Sequence, residues 1–496
     1  MASLRLLIFA CVTIFLDSCN SSKNVLFIIS DDLRPELGCY YEAGSQIHPG
    51  IDTPNINSLA SKSLLLKRAY VQQAVCGPSR TSLLTGRRPS TTRVYDLETY
   101  WRDAAGDFTT LPQYFKENGY TTVGMGKIFH PGSASGFDDP ISWTEDYYEA
   151  EVKFESKKKS WDSISDRKIS NTGKLLQDQN ITEHALSLLE EYASSNTNFF
   201  MAVGFHKPHL PFVSPEWAYG PYPEDEILDV SNPFAPSNMP EIAWFKYGDV
   251  RGYSDIALYG ATGDINTTLP DEATRDLRRA YYSAVSYIDD LVGQLVDKTV
   301  ELGIDQDTVI VFLGDHGFAL GEHGLWSKNT NFEVATHAPL LIHVPGQTDA
   351  GIVSESLVEF VDVFPTVVEA AGLATVERCE DGSSESTPLC HEGTSLMPLV
   401  SAPDTKLKLS AFSQYPRQTD IMGYSIRTDQ FRYTEWVQFD YTTNTPDWTV
   451  NSGTELYDHD IDPEENYNVH GDSSYAEAEE ILQTILHNGW RDSIIL

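Results

Sequence analysis

Val25-Leu26-Phe27-Ile28-Ile29-Ser30-Asp31-Asp32 is the stretch that decides the fold of this chain. Unbroken apolar residues in a short run are what a strand buried on both faces of a parallel sheet requires. The run is too short for a helix, and it stops at two carboxylates. Two further runs end in the same way. Phe199-Phe200-Met201-Ala202-Val203-Gly204-Phe205 leads into His206-Lys207-Pro208-His209, and Val309-Ile310-Val311-Phe312-Leu313 leads into Gly314-Asp315-His316-Gly317. Thr121 to Met125 reads as a fourth strand, followed by Gly126-Lys127-Ile128-Phe129-His130. In open α/β sheets ligands bind beyond the carboxyl ends of the strands, so these polar turns are expected to share one cleft.

Helical patterns separate the strands. From Glu272 to Leu302, apolar Leu277, Tyr281, Ala284, Ile288, Leu291 and Leu295 recur on one face, with Pro270 before and Gly303 after as start and stop signals. Asn180 to Tyr192 predicts a shorter helix. The alternation predicts an α/β domain with a central, mostly parallel sheet. Residues 207–250, rich in proline and aromatics, read as a long functional loop, and residues 376–405 as a polar linker. Beyond it the texture changes. Ile421 to Trp436 and Glu455 to Tyr457 predict β segments around a polar loop at 440–453, and Ala476 to Leu486 a helix. The 496 residues therefore divide into 1–19, a catalytic α/β domain over 20–405 and an α+β subdomain over 406–496.

Residues 1–19 read as a secretory signal, with Arg5, an apolar core from Leu6 to Leu16 and a small-residue exit at Ser18 and Cys19. No later stretch has the roughly 18 apolar residues of a membrane span. Sequons at Asn20, Asn180 and Asn266 suit a secreted glycoprotein. Cys379 and Cys390 bracket a polar loop and are expected to form a disulfide. Cys39 reads as a buried free thiol, and a Cys39–Cys76 disulfide is the ordinary alternative. The net charge of −37 argues against nucleic acid as a partner. An anionic substrate would need a local basic pocket or an acidic working pH.

The chemistry-bearing residues supply such a pocket. Buried adjacent carboxylates such as Asp31-Asp32 repel and need a cation between them. With Asp315-His316 they make a donor set suited to Ca²⁺ or Mg²⁺ rather than zinc. In Cys76-Gly77-Pro78-Ser79-Arg80 the proline favours a helix start, placing Cys76 at a helix N-terminus where an oxyanion is favoured. Arg80 then lies one turn on, on the same side. Lys127, His130, His206 and Lys328 supply cationic walls.

Cys76-x-Pro-Ser-Arg followed by Thr81-Ser82 resembles the sulfatase family, and the similarity extends over nearly the whole mature sequence. Its most specific stretches include Asp31–Tyr40, Gln72–Pro89, Phe205–His209, Gly314–His323, Asn331–His337, Ser413–Arg417 and Met422–Thr428. The resemblance implies an alkaline-phosphatase-type α/β domain with a small C-terminal antiparallel sheet. It implies that Cys76 is oxidised to formylglycine by a formylglycine-generating enzyme. Asp31, Asp32, Asp315, His316 and the converted Cys76 would bind a divalent cation, calcium in this family, with magnesium the alternative. Arg80, Lys127 and His130 would hold the formylglycine hydrate. His206 and Lys328 would contact the sulfate, with His206 protonating the departing alcohol.

Within the family the chain is most similar to members acting on the 2-O-sulfate of iduronate in heparan and dermatan sulfate, in the lysosome or outside the cell. Phe318 stands where those members carry a tryptophan near the substrate, and Ile141 to Ser170 reads as part of the substrate wall. Three alternatives stay open: another sulfated sugar or small sulfate ester, a phosphodiesterase or phosphonate hydrolase of the same superfamily, and a silent glycan-binding protein.

Overall fold

A computed structural model of the chain describes residues 22–43, 45, 47–150, 158–164 and 176–495. The expected signal segment and Asn20 lie outside the described residues, as do 151–157 and 165–170 of the expected substrate wall.

The expected strands form one sheet. Its members are β1 (Asn24–Asp31), β2 (Leu64–Tyr70), β3 (Thr121–Gly126), β5 (Phe199–Pro208), β7 (Thr308–Gly314), β8 (Leu340–His343) and β9 (Ile352–Glu359), in the order β3-β5-β1-β7-β8-β2-β9. Every neighbouring pair is parallel except those made by β8, which runs against both β7 and β2. A short pair, β4 (Trp161–Ile164) with β6 (Phe212–Pro215), lies apart. Alternation along β1 explains the layering. Leu26 and Ile28 enter one apolar core with Leu277, Tyr281, Ile288 and Leu291 of the helix Asp271–Glu301. Val25, Phe27 and Ile29 enter the other, with Leu83 and Leu84 of the helix Cys76–Thr85. Side chains of successive strand residues point to opposite faces, so a continuous apolar run feeds both.

Register aligns the strand ends. Ser30 of β1 sits opposite Phe205 of β5 and Gly314 of β7, and Gly126 of β3 sits opposite Gly204. Asp31, Lys127, His206 and Asp315 therefore leave the sheet at one level.

A second sheet is antiparallel, in the order β10 (Ala411–Arg417), β11 (Ile421–Arg427), β12 (Phe431–Asp440) and β13 (Thr445–Asp458). The helix Ala476–Asn488 packs on it through Leu482 and Leu486. Two expectations are corrected here. The segment 440–453 is a hairpin rather than a polar loop: 445–451 pairs with 437–440 around a turn at 441–444. Its Thr, Trp and Val residues suit an exposed strand, whose polarity hid it. Residues 376–405 are no free linker, because Leu396 and Leu399 are fully buried in the core around Val25.

The Cys379–Cys390 disulfide is formed, and Cys39 and Cys76 are both free thiols, Cys39 only half-buried. Near its end the chain straps across 407–410. Ile495 N donates to Leu407 O (2.9 Å), Leu409 N to Ser493 O (2.8 Å), and Ser410 N to Ser493 Oγ (2.9 Å). Among the described residues no helix is long and apolar enough to cross a membrane.

Candidate active site

The carboxyl ends of β1 and β7 carry the carboxylates. Asp32 has φ +60°, a left-handed conformation uncommon for any residue with a side chain. That twist breaks the strand alternation, so Asp31 and Asp32 both reach one cluster. Tyr281 stabilises it: its hydroxyl donates to Asp32 O (2.7 Å) and accepts from Arg34 N (3.1 Å). Asp32 N donates to Asp315 Oδ1 (2.9 Å).

Cys76 opens the helix Cys76–Thr85, all ten residues of which are buried. Its neighbour must be glycine, since a Cβ at Gly77 would stand 2.6 Å from Asp96 O. Cys76 Sγ lies 3.4 Å from Asp31 Oδ1, 3.4 Å from His316 Nε2 and 3.5 Å from Lys127 Nζ. One turn on, Arg80 spans the two acidic strand ends, donating to Asp315 Oδ2 (2.8 Å) and Asp31 Oδ1 (3.1 Å). Lys127 Nζ meets Asp31 Oδ2 at 2.6 Å, and Lys328 Nζ meets both oxygens of Asp32 at 2.9 and 3.1 Å.

Burial alone would raise the Asp31 carboxyl, but Lys127, His209, Arg80 and Lys328 outweigh it and hold the group well below the ordinary carboxylate range. Burial, and then Asp31, push the Cys76 thiol far up. A thiol so placed carries no useful thiolate at neutral or acidic pH, so it is a poor nucleophile as it stands. Burial, then Lys127 and Arg80, bring His130 down to about 4, leaving a neutral imidazole.

The residues fit a divalent cation. Donor atoms of Asp31, Asp32, Cys76 and His316 all lie within 4.8 Å of one another. Asp315 borders the group, with Oδ2 3.5 Å from His316 Nε2. Carboxylates dominate, which favours a hard cation, and sulfur is the odd donor among them. An oxygen at position 76 would match the set. A second group, Glu333, His459 and Glu465, has suitable spacing too. Its carboxylates are already taken by Arg427 and Arg432, which makes it an ion-paired seam between the two sheets.

The family description "Sulfatase" matches residues 23–373, and "N-sulphoglucosamine sulphohydrolase, C-terminal" matches residues 321–491. The chain belongs to the sulfatase family. This sulfatase is 39% identical to the iduronate 2-sulfatase of Mus musculus, covering 93% of each chain. It is 38% identical to that of Homo sapiens, covering 94% of each. The phosphonate monoester hydrolase of Silicibacter pomeroyi, a solved structure, superposes with a TM-score of 0.73 at 20% identity, over 95% of this chain and 96% of that one. At that identity the likeness speaks for the fold, the alkaline-phosphatase-like one expected.

In this sulfatase the geometry brings together Asp31, Asp32, Cys76, Arg80, Lys127, Asp315, His316 and Lys328. His130 stands close by, its Nδ1 3.2 Å from Pro131 O. Two expected residues are placed otherwise. The ring of His206 turns away, Nδ1 to Asp178 Oδ1 at 3.2 Å and Nε2 to Gln177 at 3.2 Å. The histidine that faces the cluster is His209, with Nε2 3.8 Å from Asp32 Oδ2. Asp178 causes the exchange. Its carboxylate accepts His206 N (2.8 Å) and Lys207 N (3.0 Å), fixing the turn that carries His209 inward. Phe318 is fully buried, packed against Tyr281 and Phe212, with Lys328 Nζ 5.9 Å from its ring centre. It is a floor beneath Lys328 rather than a wall facing the substrate.

Proposed function

We propose that this sulfatase hydrolyses the 2-O-sulfate of an iduronate residue in heparan- or dermatan-type glycosaminoglycan fragments. The observation that carries the reading is a buried cation array on the Cys76 cluster. Arg80, Lys127 and Lys328 crowd around one cysteine in a chain of net charge −37. Such an array suits an oxyanion and little else. The choice of iduronate rests on the similarity to the two mammalian iduronate 2-sulfatases across nearly their whole length.

A calcium ion held by Asp31, Asp32, Asp315, His316 and position 76, and a formylglycine hydrate made from Cys76 by a formylglycine-generating enzyme, would supply charge neutralisation and a hydroxyl nucleophile. The remaining chemistry belongs to the chain's own residues. Arg80 orients Asp31 and Asp315 and sets the carboxylate positions. Lys127 and Lys328 present ammonium groups to the sulfate oxygens, where charge spreads as the ester bond breaks. His209, rather than His206, is the histidine placed to pass a proton to the leaving sugar oxygen, and neutral His130 accepts one beside position 76. The catalytic unit would span 20–405 and the C-terminal subdomain 406–496, behind a 1–19 leader that routes the glycoprotein to the lysosome or the exterior.

Two measurements test this. Mass spectrometry of the Cys76 peptide should show a loss of about 18 Da against unmodified cysteine. A hydrolysis panel should rank iduronate 2-sulfate disaccharides above aryl sulfates, other sulfated sugars and phosphodiesters. Preference for another sulfated sugar would replace the substrate and keep the chemistry. Preference for phosphodiesters would overturn both.

A further inference from the structure

Arg417, at the end of β10 in the C-terminal sheet, is a buried cation with no acid in contact among the described residues. Among the described residues its hydrogen-bond partners are all carbonyls, and Nε has none. The charge is offset by carbonyls and ring faces. Nη2 donates to Asn329 O (2.8 Å) and Ala243 O (3.1 Å), and Nη1 to Pro416 O (3.1 Å). The rings of Tyr415, Trp436 and Phe245 surround it at 4.9, 4.9 and 5.4 Å. Desolvation brings it down to about 10, and Glu455, which acts from outside contact distance, offsets only part of that.

What it holds matters. Asn329 directly follows Lys328, the cation on Asp32. The same sheet grips this segment twice more: Asn329 Nδ2 donates to the Tyr415 hydroxyl, and Asn331 Nδ2 to Gly423 O (3.1 Å). Lys328 therefore stands on a short segment whose backbone is fixed from the C-terminal sheet.

We infer that Arg417 is a positioning residue for catalysis: it clasps the Asn329 and Ala243 carbonyls and so sets where Lys328 presents its ammonium group. Arginine suits this because its planar fork reaches several acceptors at once, which a lysine cannot. The inference rests on the reading of Lys328 as a sulfate contact.

The test is a double-mutant cycle in the full-length, converted enzyme, read as kcat/KM on an iduronate 2-sulfate disaccharide and on an aryl sulfate. Arg417→Met should lower kcat/KM by about a hundredfold, the scale of a 1 Å misplacement at the reacting centre. The loss should be equal on both substrates, since Lys328 meets the sulfate and not the sugar. In a Lys328→Met background the same substitution should cost less than about threefold, because coupled residues are not additive. Arg417→Lys, which keeps charge in the aromatic cage, covers the case in which methionine prevents folding. It should lose about tenfold and show the same coupling. Losses that multiply in the double variant, or that fall on the sugar substrate alone, overturn the clasp while leaving the site reading intact. A Lys328→Met variant with unchanged kcat/KM overturns the site reading itself, and the clasp with it.

Discussion

Two buried charge clusters lie in this molecule, and they are built to opposite ends. At the carboxyl ends of β1 and β7, Asp31, Asp32 and Asp315 face Arg80, Lys127 and Lys328 around Cys76. Where β9 ends, Glu359 and Asp362 face Arg88 and Lys408, and all four side chains are essentially sealed from water. The second cluster closes on itself. Arg88 grips Glu359 with two bonds at 2.6 and 2.7 Å, Lys408 bridges Glu359 and Asp362, the backbone amides of Phe412 and Thr394 add to Glu359 Oε1 and Asp362 Oδ1, and Glu359 N donates to Asp362 Oδ2. The first keeps a thiol at its centre, with histidines at its edge and cations aimed where a ligand would sit. Closure makes a bolt between the main domain and the C-terminal segment. Incompleteness makes a site.

Single substitutions should separate the two clusters, and they are taken in descending order of effect. Cys76→Ala should abolish turnover, a loss of at least roughly 10⁴-fold in kcat, with the thermal midpoint nearly unchanged. Steady-state assays beside calorimetry read both, and substantial residual turnover would remove Cys76 from the centre of the site. Glu359→Gln should do the reverse. It strands Arg88 and Lys408 and should cost about 3–5 kcal/mol of stability by denaturant unfolding, leaving kcat/KM per folded molecule within about twofold. Activity falling further than stability would join the two clusters that the structure separates.

His209→Asn should lower kcat by about a hundredfold, as removal of a general acid does, while His206→Asn stays within about tenfold. The opposite ranking would restore His206 to the leaving group.

The smallest effect concerns Glu455, a buried acid that accepts from Trp436 Nε1 (2.8 Å) and the Tyr457 hydroxyl (2.7 Å) and has no cation in contact among the described residues. Burial raises it from an ordinary 4.5 to about 7. Between those values the unfolded chain ionises and the folded one does not, so stability from this group falls as pH rises from 4.5 to 7. Glu455→Gln should therefore flatten that slope in unfolding curves across the window. Parallel slopes for both proteins would assign the pH dependence elsewhere.

Much of the first cluster is legible in the sequence. Its acids stand directly after apolar strands, and local pattern fixes strands whose residues are buried on both faces. His209 was not legible, although it shares a tetrapeptide with His206. Which histidine turns inward is decided by Asp178, distant in sequence, taking two consecutive amides. Phe318 misleads in a related way. Position beside the motif is local, whereas its burial against Tyr281 depends on a helix that begins earlier in the chain. Arg88 and Arg417 fall within stretches that carry the family resemblance, but what either of them holds left no readable trace. Their partners come from segments tens to hundreds of residues apart, and a single charged residue carries no periodicity. The hairpin arm at 445–451 escaped because an exposed strand lacks the apolar run that betrayed β1.

The strap that Ser493 and Ile495 lay across 407–410 bears on how the protein is handled. Lys408, buried beneath it, is one arm of the closed cluster. Loosening the strap, by proteolysis or by substitution at Ser493, would open a water path to that lysine. Protein so altered should lose shelf life while its fresh specific activity stays intact. Storage loss without loss of initial activity is therefore the sign of a disturbed strap.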